Sequence, residues 1–383
     1  MPVFVYVLGL AVFAQGTSEF MLSGLVLGIA RDLSVPVGAA ASLTSAYAIG
    51  MIIGAPVMAA LSARWPRRRA LAGFLAAFVA VHVLGAVTTD FAVLFGTRIV
   101  AAIVNAGFLA VAMSVATALV PPTGQGRATS VLLAGITLSC VAGVPAGALL
   151  GDWAGWRSAF WAVAALCVPA LAFVFRSAPA DAADRREVSI RREAGALRSR
   201  PLRRALVLAT LVNGATFATF AYLAVIAADV AGLPAGAVPV LLASFGVGAF
   251  AGVTAAGRLG DAKLWPAVCV LPVGWAALAL TGAHPAPLVA LAVVQGALSF
   301  GVGSALVGRV LRVASDAPSL GGAFATVALN VGAFAGPPAA AVATGVAGDY
   351  RAAPWVSAAL AGGAVVVIGA RRRGSSRSPR VPR

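Results

Sequence analysis

The chain has 383 residues, of which 61% are hydrophobic and only 10% are charged, and its mean hydropathy is +0.96. Soluble globular domains carry about 25% charged residues, so this chain has too few polar side chains to cover a water-facing surface. The formal net charge of +16 does not indicate nucleic-acid binding, because the arginines lie in short clusters between long apolar runs. The composition therefore excludes a soluble protein and indicates one whose surface is covered by lipid.

Apolar runs of about 20 residues, the length that a helix needs to cross a bilayer, recur along the chain. They are continuous rather than alternating, which argues against a transmembrane β-barrel. The first run has no basic region before it and is too long for a signal-peptide core, so it is predicted to be a retained helix. Cutting the chain at charged and Pro/Gly clusters predicts an all-α membrane protein with twelve helices, near residues 4–29, 38–62, 70–88, 91–119, 127–150, 155–175, 204–228, 236–257, 264–282, 286–312, 320–346 and 352–370.

Basic residues concentrate in the loops that follow even-numbered predicted helices, whereas the loops after odd-numbered helices carry few. Cytoplasmic loops are enriched in Lys and Arg, so the even loops and both termini are predicted to be cytoplasmic. The longest polar stretch follows the sixth helix and divides the chain into halves. The predicted organisation is an N-terminal six-helix bundle (1–176), a cytoplasmic linker (177–203), a C-terminal six-helix bundle (204–370) and a disordered basic cytoplasmic tail (371–383).

The two halves resemble each other weakly. The sequence GVPAG at 143–147 in helix five corresponds to GPP at 336–338 in helix eleven, and the basic loop ARWPRRR corresponds to GRLGDAK, which starts at Gly257. Two repeated halves with a binding site between them are a common plan of secondary transporters. The pattern predicts two pseudo-symmetric bundles around a central cavity.

Two charged residues stand inside predicted helices, Glu19 in helix one and Arg98 in helix four. Charges within the hydrocarbon are costly and are functional candidates by default. At 1.5 Å per residue they lie roughly 15 and 10 Å from the outer surface, which is similar enough for an ion pair. In the functional interpretation, Glu19 carries a proton through the transport cycle and Arg98 is its electrostatic partner. In the alternative, the two form a static pair that fixes helix packing.

Polar and aromatic side chains near these charges suggest a substrate pocket. Gln15 lies one turn before Glu19, and Asn105 lies two turns after Arg98, so each shares a helix face with its charge. The amides in helices seven and eleven either bind substrate or form interhelical bonds. The predicted pocket consists of Gln15, Phe20, Met21, Tyr47, Asn105, Phe108, Asn213, Phe217 and Asn330.

Helix five and two basic loops are candidates for a conformational gate. Gly143 and Gly147 belong to a series of small residues on one face, and Pro145 adds a kink, although spacing alone favours generic helix packing. Arginines in the loops either bind helix ends or only set topology. The predicted gate consists of Arg64, Arg67, Arg68, Arg258, Asp261, Gly143, Pro145 and Gly147.

Catalytic and nucleotide-binding motifs are not found in a fitting context: GxSxG, HExxH, a Walker loop and GxGxxG are all missing. The three cysteines show no CxxC spacing and stand apart in apolar runs. The sequence predicts no enzyme activity, no bound metal, no cofactor and no nucleic-acid partner.

These features resemble the major facilitator superfamily and, within it, the drug:proton antiporter branch. FAQGTSEFMLSGL at 13–25 is similar to the helix-one signature of the subfamily that holds chloramphenicol exporters and arabinose-efflux-like proteins. AGVPAGALLG at 142–151 resembles the antiporter motif of helix five, and GWRSAFW follows it as it does in this subfamily. The opening through Asp32 and the loop WPRRRAL look most similar to actinobacterial chloramphenicol-resistance exporters.

The chain departs from the superfamily's loop motif, GxLaDRxGRR, because Ala63 replaces its acidic residue and Pro66 its glycine. In the second-half copy Asp261 is retained, so the resemblance implies a gate that relies on Asp261. In helix four, Arg98 matches the motif's arginine, but Ala101 and Ala102 stand where the family has glutamine and glycine.

The resemblance implies a monomeric, proton-coupled antiporter of the bacterial inner membrane that exports a small drug, with chloramphenicol as the best single candidate. A sugar or metabolite exporter of the same fold stays open as an alternative. A nutrient uptake symporter is less well supported, because it would lack the helix-five motif. A membrane enzyme would need a catalytic constellation that the sequence does not offer.

Overall fold

The computed structural model describes residues 2–61, 65–177, 193, 195–256, 261–314, 317 and 320–375, and the membrane-spanning elements in these ranges are helical. The first half contains α1 (Val3–Phe20, continued by Leu22–Asp32), α2 (Val37–Ala41, continued by Leu43–Leu61), α3 (Arg67–Val87), α4 (Phe91–Ala118), α5 (Gln125–Leu138, the π-helical turn Ser139–Gly143 and Val144–Ala154) and α6 (Trp156–Ser177). The second half contains α7 (Arg200–Phe220, continued by Leu223–Val225 and the π-helical turn Ile226–Val230), α8 (Val238–Ala256), α9 (Asp261–Thr281), α10 (Pro285–Val313), α11 (Gly321–Ala347) and α12 (Ala352–Ser375).

Length and apolarity qualify most of these segments as membrane spans. Within the described ranges, 11 helical segments are long and apolar enough to cross a bilayer. The twelfth predicted helix corresponds to α12, whose apolar part, Ala352–Ile368, is shorter than the other spans. The prediction of an all-helical, multi-pass membrane protein is confirmed.

The structure corrects two predicted boundaries. Helix α7 begins at Arg200 rather than at 204, and Pro201 near its start suits the first helical turn. Helix α12 continues to Ser375, so residues 371–375 are helical instead of forming the start of a disordered tail. Arginine is a good helix former and is favoured near a helix C-terminus, which explains why the helix continues through these residues. Residues 376–383 and most of the predicted linker lie outside the described residues.

The same helix pairs pack in both halves, which is the structural form of the weak sequence repeat. In the first bundle α1 packs on α5 and α6, α2 packs on α4, and α3 packs on α4 and α6. In the second bundle α7 packs on α11 and α12, α8 packs on α10, and α9 packs on α10 and α12. The bundles meet where α2 contacts α11 and α5 contacts α8, which are again equivalent pairs. The predicted pair of pseudo-symmetric six-helix bundles is therefore confirmed.

Glycines set the close approach of the helices at equivalent places. A Cβ atom at Gly50 of α2 would overlap the carbonyl oxygen of Ile99 in α4. A Cβ atom at Gly248 of α8 would overlap the carbonyl oxygen of Val293 in α10. Without hydrophobic driving force in lipid, such close backbone contact is a main source of helix association.

The helices α1 and α7 are both interrupted in the second half of their length. Helix α1 breaks between Phe20 and Leu22, and α7 breaks between Phe220 and Leu223. Discontinuous helices at equivalent positions of the two halves mark the binding region in many secondary transporters. The fold therefore directs attention to the residues next to these two breaks.

Candidate coupling and substrate site

Glu19 lies two residues before the break in α1 and is half-buried. It is close enough to Arg98, Tyr47 and Cys140 to interact with them electrostatically. No ion pair within 4 Å joins Glu19 to Arg98 in the described part of the chain, so the carboxylate is not locked in a direct contact.

Arg98 is held by α1 instead of by the carboxylate. Its guanidinium is 1% exposed and donates two hydrogen bonds to Ser18, at 2.9 Å to Oγ and 2.6 Å to the carbonyl oxygen. The same Nη1 atom lies 3.4 Å from Nε2 of His82 in α3. Arg98 therefore joins α4 to α1 one residue away from Glu19.

The geometry assigns the tautomer of His82, which is 1% exposed. Nδ1 lies 2.7 Å from the carbonyl oxygen of Phe78, so it must donate there. Nε2 then accepts, and Ser18 Oγ at 2.6 Å is its donor. Because the Ser18 hydroxyl gives its hydrogen to His82, its lone pairs remain available to Arg98. The result is one ordered chain of hydrogen bonds from Arg98 through Ser18 and His82 to Phe78.

Aromatic rings complete the surroundings of the guanidinium. Its central carbon lies 4.9 Å from the ring centroid of Tyr47 and 5.5 Å from that of Phe160, distances that suit cation–π attraction. Asn105 donates a hydrogen bond of 2.8 Å to the Tyr47 hydroxyl. Two predicted pocket residues, Tyr47 and Asn105, are thus brought together with Arg98.

Gln15 is fully buried, and neither polar atom of its amide has a hydrogen-bond partner among the described residues. Buried polar groups in proteins are nearly always bonded, so an orphaned amide one turn from Glu19 marks a position that accepts a polar group. Nε of Arg98 is likewise buried without a hydrogen-bond partner in the described part of the chain.

The predicted aromatic residues fall into two groups. Phe20, beside the break in α1, lies 6.4 Å from Phe217 and 6.3 Å from Phe300 of the second bundle, between ring centroids. Met21 and Phe108 are also buried, with Met21 packed against Gly147. The first group forms a buried contact between the two bundles, and the second packs within the first bundle.

The two predicted amides of the second half bind backbone. Asn213 donates to the carbonyl oxygen of Leu329 at 2.7 Å and so ties α7 to α11. Asn330 donates to Thr326 within its own helix at 2.9 Å. Of the two interpretations open for these amides, Asn213 forms the interhelical bond.

Helix α5 lies between α1 and α8. Gly143 faces Thr17 and Gly147 faces Met21, so the glycine face of α5 packs on the helix that carries Glu19. The backbone of α5 at Cys140 and Val141 packs on Gly246 of α8 in the other bundle. The π-helical turn Ser139–Gly143 ends two residues before Pro145. Such turns are common at functional sites.

The arginine part of the predicted gate is only partly described. Arg68 donates to the carbonyl oxygen of Phe175 and so ties α3 to the end of α6. Asp261 is the first residue of α9. Arg64 and Arg258 lie outside the described residues, and Arg67 has an interaction partner.

Sequence reasoning missed Ser18 and His82, which hold Arg98. His82 was visible as an isolated ring inside an apolar helix, but its partner is 64 residues away in sequence. It also missed the contact at the other end of α1, where Asp32 accepts hydrogen bonds from Arg157 and from Trp156 Nε1, the latter at 3.1 Å. Arg157 in turn donates to the carbonyl oxygen of Thr88 at 2.9 Å, so this clasp joins α1, α3 and α6.

Two pseudo-symmetric bundles, each with its first helix interrupted, together with a buried polar cluster at the first break, are typical of a secondary transporter. The chain is a membrane transporter of a small-molecule substrate and not an enzyme.

Comparison with known proteins gives the family. The sequence profile of the Major Facilitator Superfamily matches residues 8–307, and the chain belongs to this family. It is similar to the chloramphenicol resistance protein of Streptomyces lividans, with 51% identity over 374 residues, 96% of this chain and 95% of that protein. It is also similar to a chloramphenicol efflux pump of Mycobacterium tuberculosis (strain ATCC 25618 / H37Rv), with 32% identity over 350 residues, 86% and 83% of the two chains.

A solved structure has the same fold. A bacterial homologue of the human lysosomal transporter Spinster, in an inward-facing and occupied conformation, superposes with a TM-score of 0.73 at 15% identity, covering 98% of this chain and 96% of that one. At this identity the likeness concerns the fold alone.

Proposed function

We propose that this chain exports a small drug from the bacterial cytoplasm in exchange for protons, with Glu19 as the proton carrier. One observation carries the proposal: Glu19 is a half-buried carboxylate beside the break in α1, near the fixed charge of Arg98 but not bonded to it. Ionisable groups at this depth are costly and persist where ions or protons move.

Arg98 has an electrostatic role in this mechanism. When Glu19 releases its proton, the nearby guanidinium compensates the new negative charge. When Glu19 is protonated, Arg98 keeps its hydrogen bonds to Ser18 and loses little. Ser18 and His82 are positioning residues, because they set the distance between the guanidinium and the carboxylate without touching the proton.

The substrate site lies between the bundles. Phe20 and Phe217 supply apolar ring surface from the two halves, and Gln15 supplies an amide with unused hydrogen-bonding capacity. Tyr47 and Asn105 border it from α2 and α4. Such a site, mostly apolar with a few polar groups, suits a neutral, amphipathic drug. The relatives named for chloramphenicol resistance and efflux support chloramphenicol as that drug.

The same proposal includes orientation and assembly. Basic side chains cluster at the beginning of α3 and at the ends of α10 and α12, which favours cytoplasmic placement of these ends and of both termini in the inner membrane. One chain supplies both bundles, so a monomer contains a complete site. The domain division into 1–176, 177–203, 204–370 and 371–383 belongs to this proposal, with the boundary changes noted above.

The test is the accumulation of labelled chloramphenicol in drug-sensitive bacteria with and without the chain. We expect lower accumulation in cells that produce it, and recovery to the control level once an uncoupler collapses the proton gradient. Lower accumulation that survives the uncoupler would contradict proton coupling. Equal accumulation in both strains would contradict chloramphenicol as substrate and direct the search to sugars or other metabolites.

A further inference from the structure

Two apolar grooves open on the outside of the bundles, one in each half. The first has a volume of about 470 Å³ and runs along α3 at Arg69, Gly73 and Ala77, with Val104 of α4 on its other side. The second has a volume of about 320 Å³ and lies among α8, α9 and α10. Neither groove contains any residue of the coupling site.

The grooves are equivalent under the pseudo-symmetry of the fold. Ala70, Gly73 and Val104 line the first, and Leu264, Ala267 and Leu298 line the second. The three pairs are separated by the same number of residues along the chain. Because the equivalence spans two helices in each half, the grooves are a repeated feature of the architecture and not two unrelated irregularities.

Each groove has a tryptophan and an arginine at the end where the basic loops lie. In the first, Trp65 is 41% exposed, and Arg69 is exposed and shares a helix face with Gly73 and Ala77. In the second, Arg309 lies one turn beyond Ala305, and its guanidinium is 4.9 Å from the ring centroid of Trp265. Tryptophan is enriched at the membrane interface, and arginine binds phosphate through several donors at once.

We propose that these grooves, which are equivalent in their apolar lining but carry their arginines on different helices, are two binding sites for anionic phospholipids of the leaflet that faces the basic loops. An acyl chain fills the apolar part of each groove, and the headgroup phosphate binds Arg69 in the first site and Arg309 in the second. Basic pockets between membrane helices on the cytoplasmic side are where acidic headgroups bind. Along α10 the apolar stretch from Ala297 to Ala305 is about 12 Å long at 1.5 Å per residue, which gives a chain continuous contact before the charged end.

The test counts lipids retained by the full-length purified protein. The protein is equilibrated with an equal mixture of phosphatidylglycerol and phosphatidylcholine and examined by native mass spectrometry. We expect two phosphatidylglycerol molecules on the wild type, one on Arg69→Gln or Arg309→Gln, and none on the double variant. The control is Arg31→Gln, which removes an exposed arginine at the C-terminal end of α1, away from both grooves. This variant should retain two phosphatidylglycerol molecules. Equal retention of both lipids, or two retained molecules in the double variant, would overturn the proposal.

Two further variants block the grooves without changing charge. A Cβ atom at Gly73 meets nothing within 4 Å, so Gly73→Phe fills the first groove, and Ala267→Phe is its equivalent in the second. Each should lose one phosphatidylglycerol while its elution volume and melting temperature stay at the wild-type values. Retention of both lipids in each phenylalanine variant would show that headgroups bind to the surface alone and would overturn the groove sites. These variants keep the test decisive if Arg309→Gln disturbs its contact with Trp265.

Discussion

The two bundles share one architecture but not one chemistry. In the first, the space between α1, α3 and α4 holds the buried guanidinium of Arg98 and the ring of His82, with Glu19 beside them. In the second, the corresponding helices carry neutral groups: Gln295 of α10 donates to the carbonyl oxygen of Leu271 in α9 at 3.2 Å. Among the residues that the structure describes, the buried polar side chains of the second bundle are all uncharged.

This difference teaches that the pseudo-symmetry serves the movement and not the chemistry. Equivalent helix pairs let the bundles rock against each other at α2–α11 and α5–α8. Burying a charge costs several kcal/mol even after relaxation, so one charged cluster is enough and a second would only destabilise the fold. We therefore expect substitutions in the first bundle to change coupling, and equivalent ones in the second bundle to change mainly packing.

The largest effect is expected from Glu19→Gln. The neutral amide cannot carry a proton, so drug transport driven by a proton gradient in proteoliposomes should fall by at least about 100-fold, the lower end of what a group essential to a proton-transfer step contributes. Counterflow of drug down its own gradient should persist, because the fold and the pocket are unchanged. Asp152→Asn, which neutralises an exposed carboxylate in α5, is the control and should transport normally. Full proton-driven transport by Glu19→Gln would refute its role.

The next effect tests the positioning of Arg98 by Ser18 and His82. His82→Ala removes the acceptor of the Ser18 hydroxyl, and loss of such a neutral hydrogen bond costs about 0.5–1.5 kcal/mol, so proton-driven transport should fall by roughly 2- to 10-fold with a shifted pH profile. His82→Gln, which offers an amide oxygen near the position of Nε2, should recover part of the rate. Ser299→Ala, in the neutral cluster of the second bundle, should leave the pH profile unchanged. Identical pH profiles in wild type and His82→Ala would leave His82 only a packing role.

A smaller effect is expected from replacing glycines at helix contacts with alanine. A Cβ atom at Gly143 would overlap Thr17, and one at Gly336 would lie 2.5 Å from the carbonyl oxygen of Gly214. Overpacking costs about 1–3 kcal/mol, so both alanine variants should melt at lower temperature. Because Gly143 packs on the helix of Glu19, only its variant should also change the drug:proton ratio. Gly96→Ala, where a Cβ atom meets nothing within 4 Å, should not be destabilised.

The smallest effect concerns the acid sensitivity of the clasp at Asp32. The hydrogen bond from Arg157, and then that from Trp156, hold the pKa of Asp32 below its ordinary value. A lowered pKa in the folded state stabilises the protein above the unfolded pKa of about 3.9, and this stabilisation is lost as pH falls through the folded value. With side chains 29% and 46% exposed, the pair contributes at most about 1 kcal/mol.

The comparison with the second bundle sharpens this test. The loop between α11 and α12 corresponds to the loop between α5 and α6, next to Arg157. There Asp349 pairs with Arg351, two residues away, at 2.7 Å, and this ion pair joins no helices. Melting temperatures measured between pH 3 and 7 should therefore lose part of their acid dependence in Asp32→Asn and change less in Asp349→Asn. An equal change in both variants would show that the clasp between helices adds nothing.

The sequence was most informative about features that depend on local composition. The twelve helices followed from apolar runs, and Glu19 and Arg98 were evident as charges inside those runs. The glycine face of α5 followed from spacing, although its partner, α1, did not. Residue pairing was the feature that the sequence described least. It left open whether Glu19 and Arg98 pair directly; in the structure Arg98 bonds to Ser18 and interacts with Glu19 through its charge.

By itself, therefore, the sequence determined the membrane class, the number of spans and the depth of the charges. The thickness of the bilayer and the cost of buried charge act on each segment separately. These features can therefore be predicted from the sequence of each segment alone. Tertiary structure alone decided which polar groups meet: Ser18, His82 and Arg98 stand on three helices, and their hydrogen bonds exist only when those helices pack. It also decided that the two bundles carry equivalent grooves, since a groove is formed by helices that are adjacent in space.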